Sequence, residues 1–291
     1  MFSGAITALV TPFKDGGVDY KALEALVEGQ IAHGINGLVP CGTTGESPTL
    51  TEKEHGEVIS FVVKTAKKRV RVIAGTGSNS TAEALHYTRF AKETGADAAL
   101  LVCPYYNKPS QRGLIAHFKA IADAVKIPQI LYNIQGRTGI NMAPETIAEL
   151  SKHPNIVGVK EASGNLEQMT RIRQMCPEEF VLLSGDDTLT LPILSIGGAG
   201  VISVVSNLIP DVVSTMVRDY REGREAPARV AFRKYFPLTK AIMSTDANPI
   251  GIKAVMAMKG LVAEEYRLPL VPATPEAKEI LKKEMKAVGI L

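Results

Sequence analysis

A chain of 291 residues, 45% hydrophobic and 22% charged, is ordinary globular material, long enough to bury one large core or two small ones, and composition excludes disorder and fibres. With 33 basic against 30 acidic residues the net charge is +3, too small a field to draw the chain to nucleic acid or an anionic membrane. No apolar run is long enough to span a bilayer, and residues 2–10 read as a strand rather than a signal peptide, so a cytoplasmic protein is expected.

Short apolar runs alternate with amphipathic helical stretches from the start, the pattern of parallel strands joined by helical crossovers. The predicted strands are residues 4–10, 37–39, 70–74, 98–102, 129–132, 156–160, 180–183 and 200–203. Eight is the number that closes a barrel. Thr51 with Glu54, and Ser80 with Glu83, have capping-box spacing, while Gly34 and Gly95 sit where helices should stop. The basic cluster 64–71 reads as a solvated helix end. From about Asp211 only helical patterns remain, over 227–243, 249–258 and 275–288. The expected fold is α/β: a (β/α)8 TIM barrel over residues 1–223 with a C-terminal helical extension over 224–291. An open dinucleotide-binding sheet would need a glycine fingerprint directly after a strand, but the cluster Gly197-Gly198-Ala199-Gly200 precedes its strand and reads as a tight turn.

In a parallel barrel the chemistry gathers at the carboxyl ends of the strands. Lys160 ends the run IVGVKEASGN, which otherwise reads as buried strand. A lysine there must snorkel to water, pair with an anion, or work as an amine. In CGTTGES, Thr43 and Thr44 offer hydroxyls suited to a carboxylate, or simply local bonds within a turn. Tyr105, Tyr106 and Tyr132, three of only eight tyrosines, fall at strand ends, as packing or as acid–base groups. Arg137, flanked by Gly136 and Thr138, could grip a carboxylate bidentately or make a surface salt bridge. Asp186 and Asp187 read as helix caps. Five scattered histidines lack ligand spacing, so no metal centre is expected, and Cys41, Cys103 and Cys176 read as inert buried thiols.

Three motifs, GTTGES at 42–47, YNIQGRTG at 132–139 and GVKEASGN at 158–165, fall in the right order on the expected strands. On them, across nearly its whole length, the chain resembles the pyruvate-dependent class I aldolases related to dihydrodipicolinate synthase and N-acetylneuraminate lyase. The resemblance implies that Lys160 forms an imine with pyruvate, with no cofactor. It implies a proton relay of Tyr132, Thr43 and Tyr106, the last from a neighbouring subunit, with Thr44 and the backbone at Ile202 holding the pyruvate carboxylate and Gly185 lining the pocket. Arg137 points to the synthase branch, where it would bind the carboxylate of L-aspartate-4-semialdehyde on the route through diaminopimelate to lysine. The family usually has proline where this chain has Gln135. In inhibited members a pocket at the tight dimer interface binds L-lysine, and the matching positions are Ser47, His55, Asn79, Glu83 and Tyr105. Pro48 and Glu52 depart there from alanine and histidine. A homotetramer built from tight dimers is implied. The rival readings are a sugar-acid lyase on the same lysine and a non-catalytic barrel that binds small carboxylates.

Overall fold

The computed structural model describes residues 2–291. Eight parallel strands close a barrel: β1 (Gly4–Ala8), β4 (Gly37–Val39), β5 (Arg71–Gly75), β6 (Ala98–Val102), β7 (Gln129–Asn133), β8 (Ile156–Glu161), β9 (Val181–Ser184) and β10 (Gly200–Ser203). Each lies within two residues of its predicted bounds. Chain neighbours pair in sequence, and the ring closes where β1 pairs β10 with Ile6 opposite Ile202.

A short hairpin, β2 (Phe13–Lys14) and β3 (Gly17–Val18), was not among the predicted strands. Its signal was present, because Asp15 and Gly16 supply the two positive φ values, 53° and 79°, that a tight hairpin turn demands.

Alternation along the strands produces two cores. Ile6, Val39, Ile73, Leu100, Ile130 and Leu183 are among the side chains that fill the barrel interior. The opposite faces meet the helices, in a layer that includes Leu38, Val62, Leu101, Phe118, Val159 and Ile172. The Thr51–Glu54 capping box forms in full. At the next helix Ser80 caps the backbone of Glu83, but the Glu83 carboxylate turns instead to the hydroxyl of Ser78. The basic cluster at 64–71 is more than a solvated end: Arg69 grips Glu28 with two bonds of 2.8 and 2.6 Å, and Lys68 and Arg71 share Asp97.

After β10 come four helices, Pro210–Arg221, Glu225–Ser244, Ile250–Met258 and Pro275–Val288. Leu238, Ile242, Ile252, Val255 and Leu281 join the core that backs β1 and β4, so the C-terminal helices are packed to the barrel by apolar burial. Among the described residues no helix is long and apolar enough to cross a membrane.

Candidate active site

Strand register sets the centre of the site. Tyr132 on β7 lies opposite Lys160 on β8, and both side chains are 5% exposed. The Lys160 Nζ stands 4.1 Å from the centre of the Tyr132 ring. Below it the chain must be glycine: a Cβ on Gly185 would come within 3.1 Å of the lysine's Cγ and Cε and 2.7 Å of Ala162 Cβ. The other face of this strand pair is pinned by a buried carboxylate. Glu161, in register with Asn133, accepts bonds from Asn133 Nδ2 at 3.0 Å and from the Ser163 N–H at 2.7 Å.

Electrostatics follow from burial. Loss of solvent pulls the Lys160 amine down to about 8, partly opposed by the Asp187 carboxylate and assisted by the Arg137 guanidinium. Burial pushes the Tyr132 phenol up to about 12, against the pull of Arg137 and the Thr43 hydroxyl. A neutral amine beside a phenol that holds its proton can attack a carbonyl and hand protons on.

The turn after β4 brings in the threonines. Thr43–Gly45 forms one turn of 3-10 helix, bracketed by Cys41 and Glu46 with positive φ of 55° and 53°. The turn keeps Thr43 beside Tyr132 and buries Thr44, whose Oγ1 accepts a 3.1 Å bond from Asn248 Nδ2. Arg137 sits in a single helical turn, Gln135–Thr138, and its Nη2 donates to the Asn248 carbonyl at 2.9 Å. The Thr138 hydroxyl bonds the carbonyls of Ile134 and Ile140, so the turn is held without a proline at 135. Ile202 lines the barrel on β10, fully buried.

Two residues here escaped sequence reasoning. Asn248, between the last helices, ties Thr44 to Arg137, and its own Oδ1 is buried without a partner. An Asn-Pro pair between predicted helices was its only signal. Asp187 was read as a cap, which holds for Asp186, bonded to the Thr188 N–H at 2.8 Å. The Asp187 carboxylate instead is buried near the lysine and accepts the N–H groups of Val204 and Val205 at 2.8 and 3.3 Å.

Tyr106 is not brought to the centre within one chain. It is 90% exposed, with φ 70°. Tyr105 does enter a cavity of about 370 Å³, together with Thr43, Ser47, His55, Glu83 and Arg137. Of the five positions matched to a lysine site only Asn79 lies off its wall, its carbonyl accepting Asn107 Nδ2 at 2.9 Å. A larger groove of about 980 Å³ runs along the outer face of the helices Glu52–Ala66 and Thr81–Thr94, away from every strand-end residue named above. All three cysteines are buried, and burial pushes the Cys103 thiol up to about 12.

The sequence model of the dihydrodipicolinate synthetase family matches residues 1–288. The chain belongs to that family. A family member from Endomicrobium trichonymphae, named 4-hydroxy-tetrahydrodipicolinate synthase, is 52% identical over 292 residues, spanning 100% of both chains. Two solved family structures superpose closely. The enzyme from Cyanidioschyzon merolae with lysine bound gives a TM-score of 0.96 at 46% identity, covering 100% of this chain and 99% of its own. The chloride-inhibited dihydrodipicolinate synthase from Acinetobacter baumannii, complexed with pyruvate, gives 0.97 at 42% identity and covers 100% of both.

Proposed function

We propose that this family member condenses pyruvate with L-aspartate-4-semialdehyde through a lysine Schiff base, giving 4-hydroxy-tetrahydrodipicolinate on the diaminopimelate route to lysine. The observation that carries the reading is the Lys160 amine, buried, lowered to about 8 and stacked on Tyr132 at a barrel strand end.

The neutral amine attacks the ketone of pyruvate, and Tyr132 gives its proton to the departing hydroxyl, so that water leaves and a protonated imine remains. That cation is the electron sink for removal of a methyl proton, which passes to Tyr132 and on through Thr43. The resulting enamine carbon attacks the aldehyde of the semialdehyde, whose oxygen takes up a proton from the same relay. The amino group of the substrate then adds to the imine carbon and displaces Lys160, which closes the ring and frees the enzyme. Thr44 and the backbone at Ile202 hold the pyruvate carboxylate, Gly185 gives the lysine its path, and Arg137 takes the carboxylate of the second substrate.

Tyr106 completes the relay from a second copy of the chain, in a homotetramer of tight dimers. A 90% exposed tyrosine held at positive φ supports this, because a side chain serving its own barrel would not be presented outward. The enzyme works in the cytoplasm, and residues 224–291 form a helical unit over the barrel. L-lysine binds in the outer part of the 370 Å³ cavity, between Glu83 and Tyr105, and Asn79 contributes across the dimer interface. The sharing of one cavity wall by Ser47, His55, Glu83 and Tyr105 with Thr43 and Arg137 supports inhibition there.

Borohydride in the presence of pyruvate tests the reading: the protein should gain one reduced pyruvate adduct, and Lys160→Ala should gain none. An adduct in the variant at the wild-type level would refute it.

A further inference from the structure

A fully buried ion pair, Lys253 with Glu46, lies outside the cavity yet grips the turn that carries Thr43 and Thr44. Glu46 occupies the left-handed region, φ 53° and ψ 37°, which a residue with a side chain avoids, and it joins the two 3-10 turns Thr43–Gly45 and Ser47–Thr49. Something must hold it there. Its Oε1 accepts from Lys253 Nζ at 2.6 Å and its Oε2 from the Arg267 N–H at 3.2 Å.

Lys253 comes from the helix Ile250–Met258 in the C-terminal extension. Its ammonium also donates to the carbonyls of Glu265 at 2.6 Å and Thr11 at 3.2 Å, and lies over the rings of Phe13 and Tyr266. Thr11 in turn donates its hydroxyl to the Gly45 carbonyl at 2.7 Å. The turn is thus tied twice to one nitrogen, through Glu46 directly and through Thr11. A buried ion pair adds little net stability over well-packed apolar side chains, because desolvating both charges offsets their attraction. What it supplies is a fixed geometry.

We propose that Lys253 is a positioning residue that, through Glu46 and Thr11, sets the Thr43–Thr44 turn against Lys160 and Tyr132, so that the C-terminal helices determine the grip on pyruvate. This rests on the roles given to Thr43 and Thr44 above.

The test compares Lys253→Met, Glu46→Gln and the double variant E46Q/K253M, reading unfolding midpoint, borohydride trapping against pyruvate concentration, and steady-state KM and kcat. Lys253→Met alone leaves a buried carboxylate unpaired and should lose stability, whereas the double variant should regain most of the midpoint. The expected result is that the double variant, though folded and still trapping at saturation, needs about tenfold more pyruvate for half-maximal trapping and has a lowered kcat. A folded double variant with wild-type KM and kcat would overturn the proposal, whatever its midpoint. Should the Met variants fail to fold, Glu46→Gln, which is isosteric, carries the same comparison, and wild-type kinetics there would be equally decisive against it. Thr43→Val and Thr44→Val, run alongside, separate the two levels: unchanged pyruvate kinetics in both would remove the roles of the threonines, and the proposal with them, whatever position 253 does.

Discussion

Replacing the buried lysine at the end of β8 should make the protein more stable. In Lys160→Met a chain of similar length loses its amine, and the gain can be worked from the depression of that amine from 10.5 to about 8 by burial. In the unfolded chain the lysine keeps its ordinary value, so below pH 8 both states are protonated and the folded state carries the whole cost of a desolvated ammonium. A depression of about 2.5 pH units corresponds to about 3 kcal/mol. Between about 8 and 10.5 the folded amine is neutral while the unfolded one still holds its proton, so the cost shrinks as pH rises and vanishes above the unfolded value. Urea unfolding at fixed protein concentration should therefore find the variant more stable by up to about 3 kcal/mol at pH 7 and by about 1 kcal/mol at pH 9.5. A variant no more stable than the parent at pH 7, or an advantage that does not narrow on the alkaline side, would refute the claim that burial sets the amine's basicity.

The rate of pyruvate adduct formation should rise with pH to a midpoint near 8, and Asp187→Asn should move that midpoint down, since the carboxylate's pull on the ammonium is lost; a midpoint that moves up would contradict this sign. Arg137→Ala should lower kcat/KM for the semialdehyde by about 2 kcal/mol, roughly 30-fold, while saturating pyruvate still traps fully. Equal damage to both substrates would end that division of labour. L-lysine should inhibit steady-state turnover, and Glu83→Ala should weaken the inhibition by about tenfold or more through loss of a charged partner for the α-amine. Undiminished inhibition in the variant would move the site elsewhere.

The barrel was legible because each of its strands is a buried apolar run, and such runs follow directly from period and composition. Lys160 stood out for the same reason, as the one amine at the end of such a run. The hairpin at 13–18 was missed because its strands are two residues each, too short for any periodicity, although Asp15-Gly16 carried the turn signal. Asp187 was misread because a cap and a buried carboxylate share the same local sequence; what separates them is the pair of N–H groups at 204 and 205, which only the closed barrel brings near. Asn248 and Lys253 were invisible for a related reason. Their partners, Thr44 and Glu46, lie about two hundred residues earlier, and no local pattern encodes such a contact.

The pairing of β1 with β10 joins residues 4–7 to residues 200–203. During synthesis, at roughly 5–20 residues per second, β1 waits about 10 to 40 seconds with one edge bare before its partner leaves the ribosome. Asn248 and Lys253 emerge later still. Lys160 joins the chain only late in that interval, and nothing has yet removed it from water, so it keeps the ordinary basicity of lysine and stays protonated at neutral pH. A nascent chain is therefore inert toward the oxoacids around it, and reactivity arrives only with barrel closure.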